Sequence, residues 1–90
     1  MIDPDFVAYC EHLEHEFFRL KGRVGTLSPA DFARARTWFD AGITLDAALE
    51  GIASAFRAQS AGRNRDAEEV NSLAFCESFV EQAMTRRRLL

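Results

Sequence analysis

The sequence lacks the features that would place it in a specialised class of protein. Its 90 residues contain only two cysteines, Cys10 and Cys76, whose spacing matches neither a zinc ribbon nor a redox motif. No apolar segment approaches the roughly eighteen residues that a membrane span requires, and no basic start precedes an apolar run. We therefore expect a soluble cytoplasmic protein that needs neither a membrane nor a cofactor.

The chain also lacks strand patterns, internal repeats, low-complexity tracts and any excess of basic charge. What it has instead is apolar content, 48% of all residues including eight phenylalanines, which is too much for a disordered chain. Its net charge of −3 argues against a surface built wholly for nucleic acid. We expect one domain, residues 1–90, whose small core leaves modest stability unless a partner adds to it.

Helix start and stop signals divide the chain into four helical segments. The predicted helices cover about 4–21, 29–41, 45–59 and 66–86. Pro4 follows the capping residue Asp3 at the first start, and Gly22 ends that helix. A polar loop separates the third helix from the fourth, which restarts at Asp66. The predicted fold class is therefore all-α, as a small four-helix domain.

The tightest part of the predicted fold is a helix-turn-helix corner between the second and third helices. Ser28 can cap a helix that begins at Pro29, with Asp31 in the acidic position of a capping box. Gly42 supplies a left-handed residue that closes this helix, and Thr44 caps the next one almost at once. We expect the apolar face of each helix to be buried between the first and last helices. The face of the second helix consists of Phe32, Ala35 and Phe39, with Trp38 beside them, and that of the third helix consists of Leu45, Ala48, Leu49, Ile52 and Phe56.

A glycine inside the third helix indicates a close packing contact. Gly51 costs about 1 kcal/mol relative to alanine at such a position, so its presence needs a reason. A close crossing of two helices at Gly51 is the favoured interpretation. A backbone approach to a ligand is the alternative.

Few residue clusters in the sequence can carry chemistry. His12 and His15 lie one turn apart, where two imidazoles can share a metal to which a neighbouring glutamate adds an oxygen. The favoured interpretation is a solvated acidic helix face, because both histidines flank the buried seam and no other histidine occurs. The two cysteines fall on apolar faces, as buried structural thiols do. We therefore predict no metal site and no catalytic residues, and hence no enzyme.

Three phenylalanines are candidates for an interaction surface, namely Phe18, Phe75 and Phe79. Together they exceed what a four-helix monomer can easily hide. Phe18 lies well away from the apolar seam of its helix, so it is either covered by the connection at 23–26 or exposed. We predict that a protein partner, or a second copy of the chain, docks on apolar surface of the first and last helices.

Clustered arginines are candidates for a contact with nucleic acid. They are Arg57, Arg63, Arg65, Arg86, Arg87 and Arg88. If they converge on one face, they can contact several phosphates. Alternatively, the last three complement the dipole of a helix end while the others pair with carboxylates such as Asp66 and Glu69. Fourteen acidic residues on so small a surface favour this alternative, because they would repel a polyanion.

Two resemblances rest on the residues around the corner. The residues that carry both resemblances are, in chain order, Trp38-x-x-x-Gly42-Ile43-x-Leu45, then Leu49-x-Gly51-Ile52-x-x-x-Phe56, and, after a basic loop, Val70-Asn71-Ser72-Leu73-Ala74-Phe75-Cys76. With the preceding Leu27-Ser28-Pro29-x-Asp31, this order resembles a group of short uncharacterised bacterial helical proteins. Residues 27–80 also resemble, more distantly, the C-terminal helical domain of the DnaD-like replication and primosome proteins.

Two functions follow from the residues and from these resemblances. The first is a small helical protein-interaction module, as a homodimer or an accessory subunit of a larger assembly. The alternative, implied by the DnaD-like resemblance, is a nucleic-acid-binding accessory domain. Neither resemblance supplies catalytic residues.

Overall fold

Four helices make up most of the part of the chain that the structure describes. The computed structural model of the protein describes residues 3–60 and 72–89. The helices are α1 (Pro4–Lys21), α2 (Pro29–Asp40), α3 (Leu45–Ser60) and α4 (Glu77–Leu89), and a 3-10 turn (Leu73–Cys76) leads directly into α4. The described residues contain no strand. The predicted all-α, four-helix domain is therefore confirmed. None of the described helices is both long and apolar enough to cross a membrane.

The corner between α2 and α3 forms through the local signals that the sequence contains. Ser28 and Asp31 form a complete capping box ahead of α2. Gly42 adopts a left-handed backbone conformation with φ of 80°, and Ile43 N–H donates to the Trp38 carbonyl at 3.0 Å. The chain therefore reverses within a few residues, and the tight turn is confirmed.

α3 is the central helix, and α1 packs along one side of it. The rings of Phe17 and Phe56 lie with their centroids 5.6 Å apart. Near the other end of α1, the Tyr9 hydroxyl donates to the Ile43 carbonyl at 3.1 Å. The residue nearer the start of α1 contacts the residue just before α3, and the residue nearer the end of α1 contacts one nearer the end of α3, so α1 and α3 run parallel.

α4 packs on a different side of α3 through a close crossing. A Cβ atom built on Gly51 would lie 2.4 Å from Val80 Cα, so only glycine fits here without displacing the backbone of α4. This confirms the packing interpretation of Gly51. Arg86 reaches Glu50 at 3.0 Å. Because Glu50 precedes the crossing in α3 whereas Arg86 follows it in α4, the two helices run antiparallel.

α2 lies antiparallel to α1 and shares few contacts with α3 beyond the turn. The Phe39 ring meets the rings of Phe6 and Tyr9 at centroid distances of 5.4 and 5.3 Å. The resulting molecule measures 43 × 35 × 18 Å, so it is only about two helices thick. The largest fully buried side chains are Trp38, Phe17, Leu13, Ile52, Leu73, Val80 and Cys76.

The fourth helix differs from the prediction of one helix over 66–86. Ser72 is extended, with φ of −151° and ψ of 162°, so no helix continues through it, and α4 itself begins at Glu77 and reaches Leu89. The reason is a tertiary hydrogen bond, because the Asp31 carboxylate accepts Leu73 N–H at 3.0 Å and starts the 3-10 turn there. The predicted restart at Asp66 lies outside the described residues.

The buried face of α2 is also rotated from the predicted one. Phe32 was expected to be buried with Ala35 and Phe39, but it is 43% exposed. Asp31 takes the buried position, with only 6% of its surface exposed. The face that packs inward therefore runs through Asp31, Ala35 and Trp38, because the two backbone hydrogen bonds of the Asp31 carboxylate hold that side of the helix inside.

Candidate interaction surface

The outward face of α1 carries three residues at helical spacing, namely Glu11, His15 and Phe18. They lie opposite Leu13, which is fully buried in the core. Glu11 and His15 are exposed, whereas Phe18 is only half-buried. This face of α1 is therefore the one that neither α2 nor α3 covers.

The connection between α1 and α2 folds back over this face. Gly22 ends α1 with φ of 75°, and Arg23 N–H donates to the Phe18 carbonyl at 3.2 Å. Gly25 lies so close to the Phe18 ring that a Cβ there would be 2.4 Å from Phe18 Cε1. Phe18 is thus partly covered by the connection, as one of the two sequence interpretations expects.

An open groove of about 540 Å³, named here the α1 groove, lies between α1 and this connection. Its lining, mainly of apolar atoms, includes Glu11, Glu14, His15, Phe18, Arg23 and Val24. Val24 is 100% exposed, although it is a β-branched apolar residue. An apolar centre of Phe18 and Val24 is therefore surrounded by charged residues, which is the usual arrangement of a protein–protein contact.

The charged residues of the α1 groove differ in whether they have partners. Arg19 forms an ion pair with Glu16, and Glu14 accepts Leu27 N–H at 2.9 Å. Within the part of the chain that the structure describes, neither Glu11 nor Arg23 has an ion-pair or hydrogen-bond partner. These two residues therefore leave one negative and one positive charge available on the groove.

Phe75 and Phe79 lie on a separate surface. Phe75 is 39% exposed in the 3-10 turn, and Phe79 is half-buried at the start of α4. α4 packs on the Gly51 side of α3, whereas the α1 contact is made by Phe56. The structure therefore does not bring Phe18 together with the other two phenylalanines. Their role in an interaction stays a prediction.

The described arginines do not gather on one face. Arg57 donates to Ser54 at 3.0 Å, near the C-terminal end of α3. Arg86 and Arg87 lie 3.0 and 3.9 Å from Glu50, and Arg88 follows them at the end of α4. Because α3 and α4 are antiparallel, Arg57 and the C-terminal arginines lie at opposite ends of this helix pair. Arg63 and Arg65 lie outside the described residues.

The histidines and cysteines occupy contrasting environments. His12 and His15 are exposed on α1, and the described residues include no group of three potential metal ligands. Cys10 and Cys76 are free and buried. Burial, with the nearby Asp31 carboxylate, raises the pKa of the Cys76 thiol to about 12, and burial raises the pKa of Cys10 as well. Both thiols are therefore protonated at neutral pH and weakly nucleophilic.

Sequence reasoning missed the residues that complete the α1 groove. Val24 stands alone in an irregular connection, so no periodicity marks it. Glu11 is one of several glutamates beside the two histidines, and Arg23 is one residue of the connection at 23–26, so neither stands out in the sequence. The one available signal was Phe18, whose position away from the seam placed it on this face of α1.

The Leu27-Ser28-Pro29-x-Asp31 signature serves the fold and not this surface. Leu27 is buried, and its N–H is the group that Glu14 accepts. Ser28 and Pro29 start α2, and Asp31 connects α2 to the turn before α4. The signature therefore joins three separate parts of the chain.

The fold and its surface define a small, thin, all-α domain with a partly apolar groove between α1 and the connection that follows it. The chain belongs to a family of uncharacterised proteins, whose family model matches residues 8–90. No curated protein and no solved structure matches the chain.

Proposed function

We propose that the protein is a small helical protein-interaction module that works as a homodimer or as an accessory subunit of a larger assembly. The observation that carries this proposal is the α1 groove, in which the half-buried Phe18 and the fully exposed Val24 lie among charged side chains. Contiguous exposed apolar patches that are rimmed by polar residues commonly mark binding sites.

The composition of the α1 groove agrees with the anatomy of known interfaces. Aromatic side chains such as Phe18 supply most of the contact area at the centre, whereas charged groups at the rim set orientation and specificity. Phe18 is already held in place by its edge-on contact with Phe17 at 5.2 Å. A partner would therefore meet a largely preorganised ring, which lowers the entropy that binding costs.

The DnaD-like nucleic-acid alternative has weaker support. Arg86 is within hydrogen-bonding distance of Glu50, so part of its charge is compensated inside the molecule. The separation of Arg57 from the C-terminal arginines also reduces the number of phosphates that one face can contact. These observations favour the interaction module.

The experiment is affinity capture from the native host, with the immobilised chain as bait. Val24→Asp places a charge at the centre of the α1 groove, and full exposure of Val24 means that the fold tolerates the change. Leu89→Asp is the matched control, because Leu89 is 81% exposed at the far end of α4. Phe75→Ser tests the second apolar surface in the same assay.

We expect proteins that the parent chain and Leu89→Asp retain and that Val24→Asp loses. Melting curves of all baits must agree, so that lost capture reflects lost surface and not unfolding. The proposal is wrong if every bait retains the same proteins, or if the parent retains none above bare resin and also forms no dimer in solution.

A further inference from the structure

We propose that the α1 groove binds the α1 groove of a second copy of the chain, which gives a homodimer with twofold symmetry. This inference rests on the proposed function, since it names the partner of the same surface. In a twofold interface, a residue that contacts a second residue of the copy is matched by the reverse contact, and only residues at the symmetry axis meet their own counterparts. The surface must therefore be complementary to itself.

The α1 groove meets this requirement through Glu11 and Arg23, the two charges that have no partner among the described residues. Glu11 lies near the middle of α1, and Arg23 lies just beyond its C-terminal end, and both line the groove. The helix rises about 15 Å between Glu11 and Lys21, so the two charges are well separated along the groove. An antiparallel copy therefore brings each Glu11 to the Arg23 of its partner, and both charges find an opposite one.

The apolar centre falls where the symmetry axis must pass. Phe18 lines the same groove as Glu11 and Arg23 and lies between them in the chain, so an axis that pairs the two charges passes near Phe18. The two Phe18 rings would then meet near the axis, and each exposed Val24, next to Arg23, would lose contact with water beside a charge pair. A partner with a single sign of charge would satisfy only one end of the groove, whereas a second copy satisfies both.

Charge reversal tests the pairing directly in the full chain. In sedimentation equilibrium at low salt, we expect Glu11→Arg and Arg23→Glu each to weaken the dimer about tenfold or more, because both symmetric contacts become repulsive. The double variant should recover to within about threefold of the parent. Both side chains are exposed, so neither change disturbs the core.

Mixing the two single variants provides a second test. In a mixed pair, one chain carries Glu11→Arg and the other carries Arg23→Glu. At one contact the introduced arginine faces the introduced glutamate, and at the other the second chain's unchanged Glu11 faces the first chain's unchanged Arg23. Both contacts then join opposite charges, so the mixture should form heterodimers at concentrations where each variant alone is monomeric. Leu89→Asp, remote from the α1 groove, should dimerise like the parent.

A parent chain that stays monomeric at millimolar concentration overturns the inference, as does a double variant no tighter than the single ones. Parent dimers that none of these charge reversals weakens would place the contact on another surface and overturn it too. If the parent is monomeric but capture from the host still depends on Val24, the proposed function stands with a different protein as partner. If both fail, the proposed function falls as well.

Discussion

The buried carboxylate of Asp31 connects two segments that are distant in sequence, and its removal should be costly. Oδ1 accepts Leu73 N–H at 3.0 Å, and Oδ2 accepts Ser28 N–H at 3.3 Å. Asp31→Ala leaves both donors without this acceptor. A buried donor left unsatisfied costs about 1–3 kcal/mol, and more when its acceptor was charged.

The two lost hydrogen bonds should not cost the same amount. Ser28 is exposed, so water can replace the carboxylate there, whereas Leu73 is fully buried and has no such replacement. We therefore expect Asp31→Ala to lower the free energy of unfolding by about 2–4 kcal/mol, most of it from Leu73. A domain of this length has a free energy of unfolding of about 5–13 kcal/mol, so the expected loss is a large fraction of its stability.

Urea unfolding followed by circular dichroism at 222 nm and by Trp38 fluorescence measures this loss. Asp31→Asn should fall between the parent and Asp31→Ala, because an amide keeps one acceptor oxygen and cannot serve both donors. Asp46→Ala is the matched control, since Asp46 is an exposed acid in the first turn of α3. It should lose only the helix-dipole contribution of about 0.3–1 kcal/mol. If Asp31→Ala costs no more than Asp46→Ala, the connecting role of Asp31 is refuted.

Two further predictions concern the α3–α4 crossing and the arginines. Gly51→Ala should lower the melting temperature, because its Cβ would meet the Val80 backbone. This is expected although alanine favours helix by about 1 kcal/mol over glycine. Adding Val80→Ala to the same chain should not restore the melting temperature, because the clash is with backbone atoms. A variant that melts above the parent would contradict the crossing. The chain, at about tens of micromolar and low salt, should bind neither labelled single-stranded nor labelled double-stranded DNA. Binding that falls steeply with salt and disappears in the double variant Arg63→Glu with Arg65→Glu would instead favour the nucleic-acid function.

The sequence by itself determined the helices and their connections where the signals are local. Capping depends on a side chain two or three residues from the backbone group that it serves, so Ser28 could be recognised as the start of α2. The roles of Gly42 and Gly51 could also be predicted from the sequence. Gly42 follows a helix, where a left-handed residue is needed, and Gly51 lies inside a helix, where glycine needs a packing reason.

Part of the candidate site was also predictable. Helical periodicity placed Phe18 outside the seam of α1, and the connection at 23–26 was named as its possible cover. The full exposure of Val24, and the absence of partners for Glu11 and Arg23 within residues 3–60 and 72–89, could not be predicted in this way. Exposure and pairing depend on which segments fold over a face, and no local pattern encodes that.

Only the tertiary structure decided how the last helix begins and which face of α2 is buried. The start of the 3-10 turn at Leu73 depends on a carboxylate 42 residues earlier in the chain. The same carboxylate rotates α2 so that Asp31 is inside and Phe32 is 43% exposed, against the order that hydrophobicity alone predicts. A buried carboxylate that accepts two backbone N–H groups can outweigh one phenylalanine, because leaving Leu73 N–H unsatisfied in the core costs more than leaving part of one ring in water.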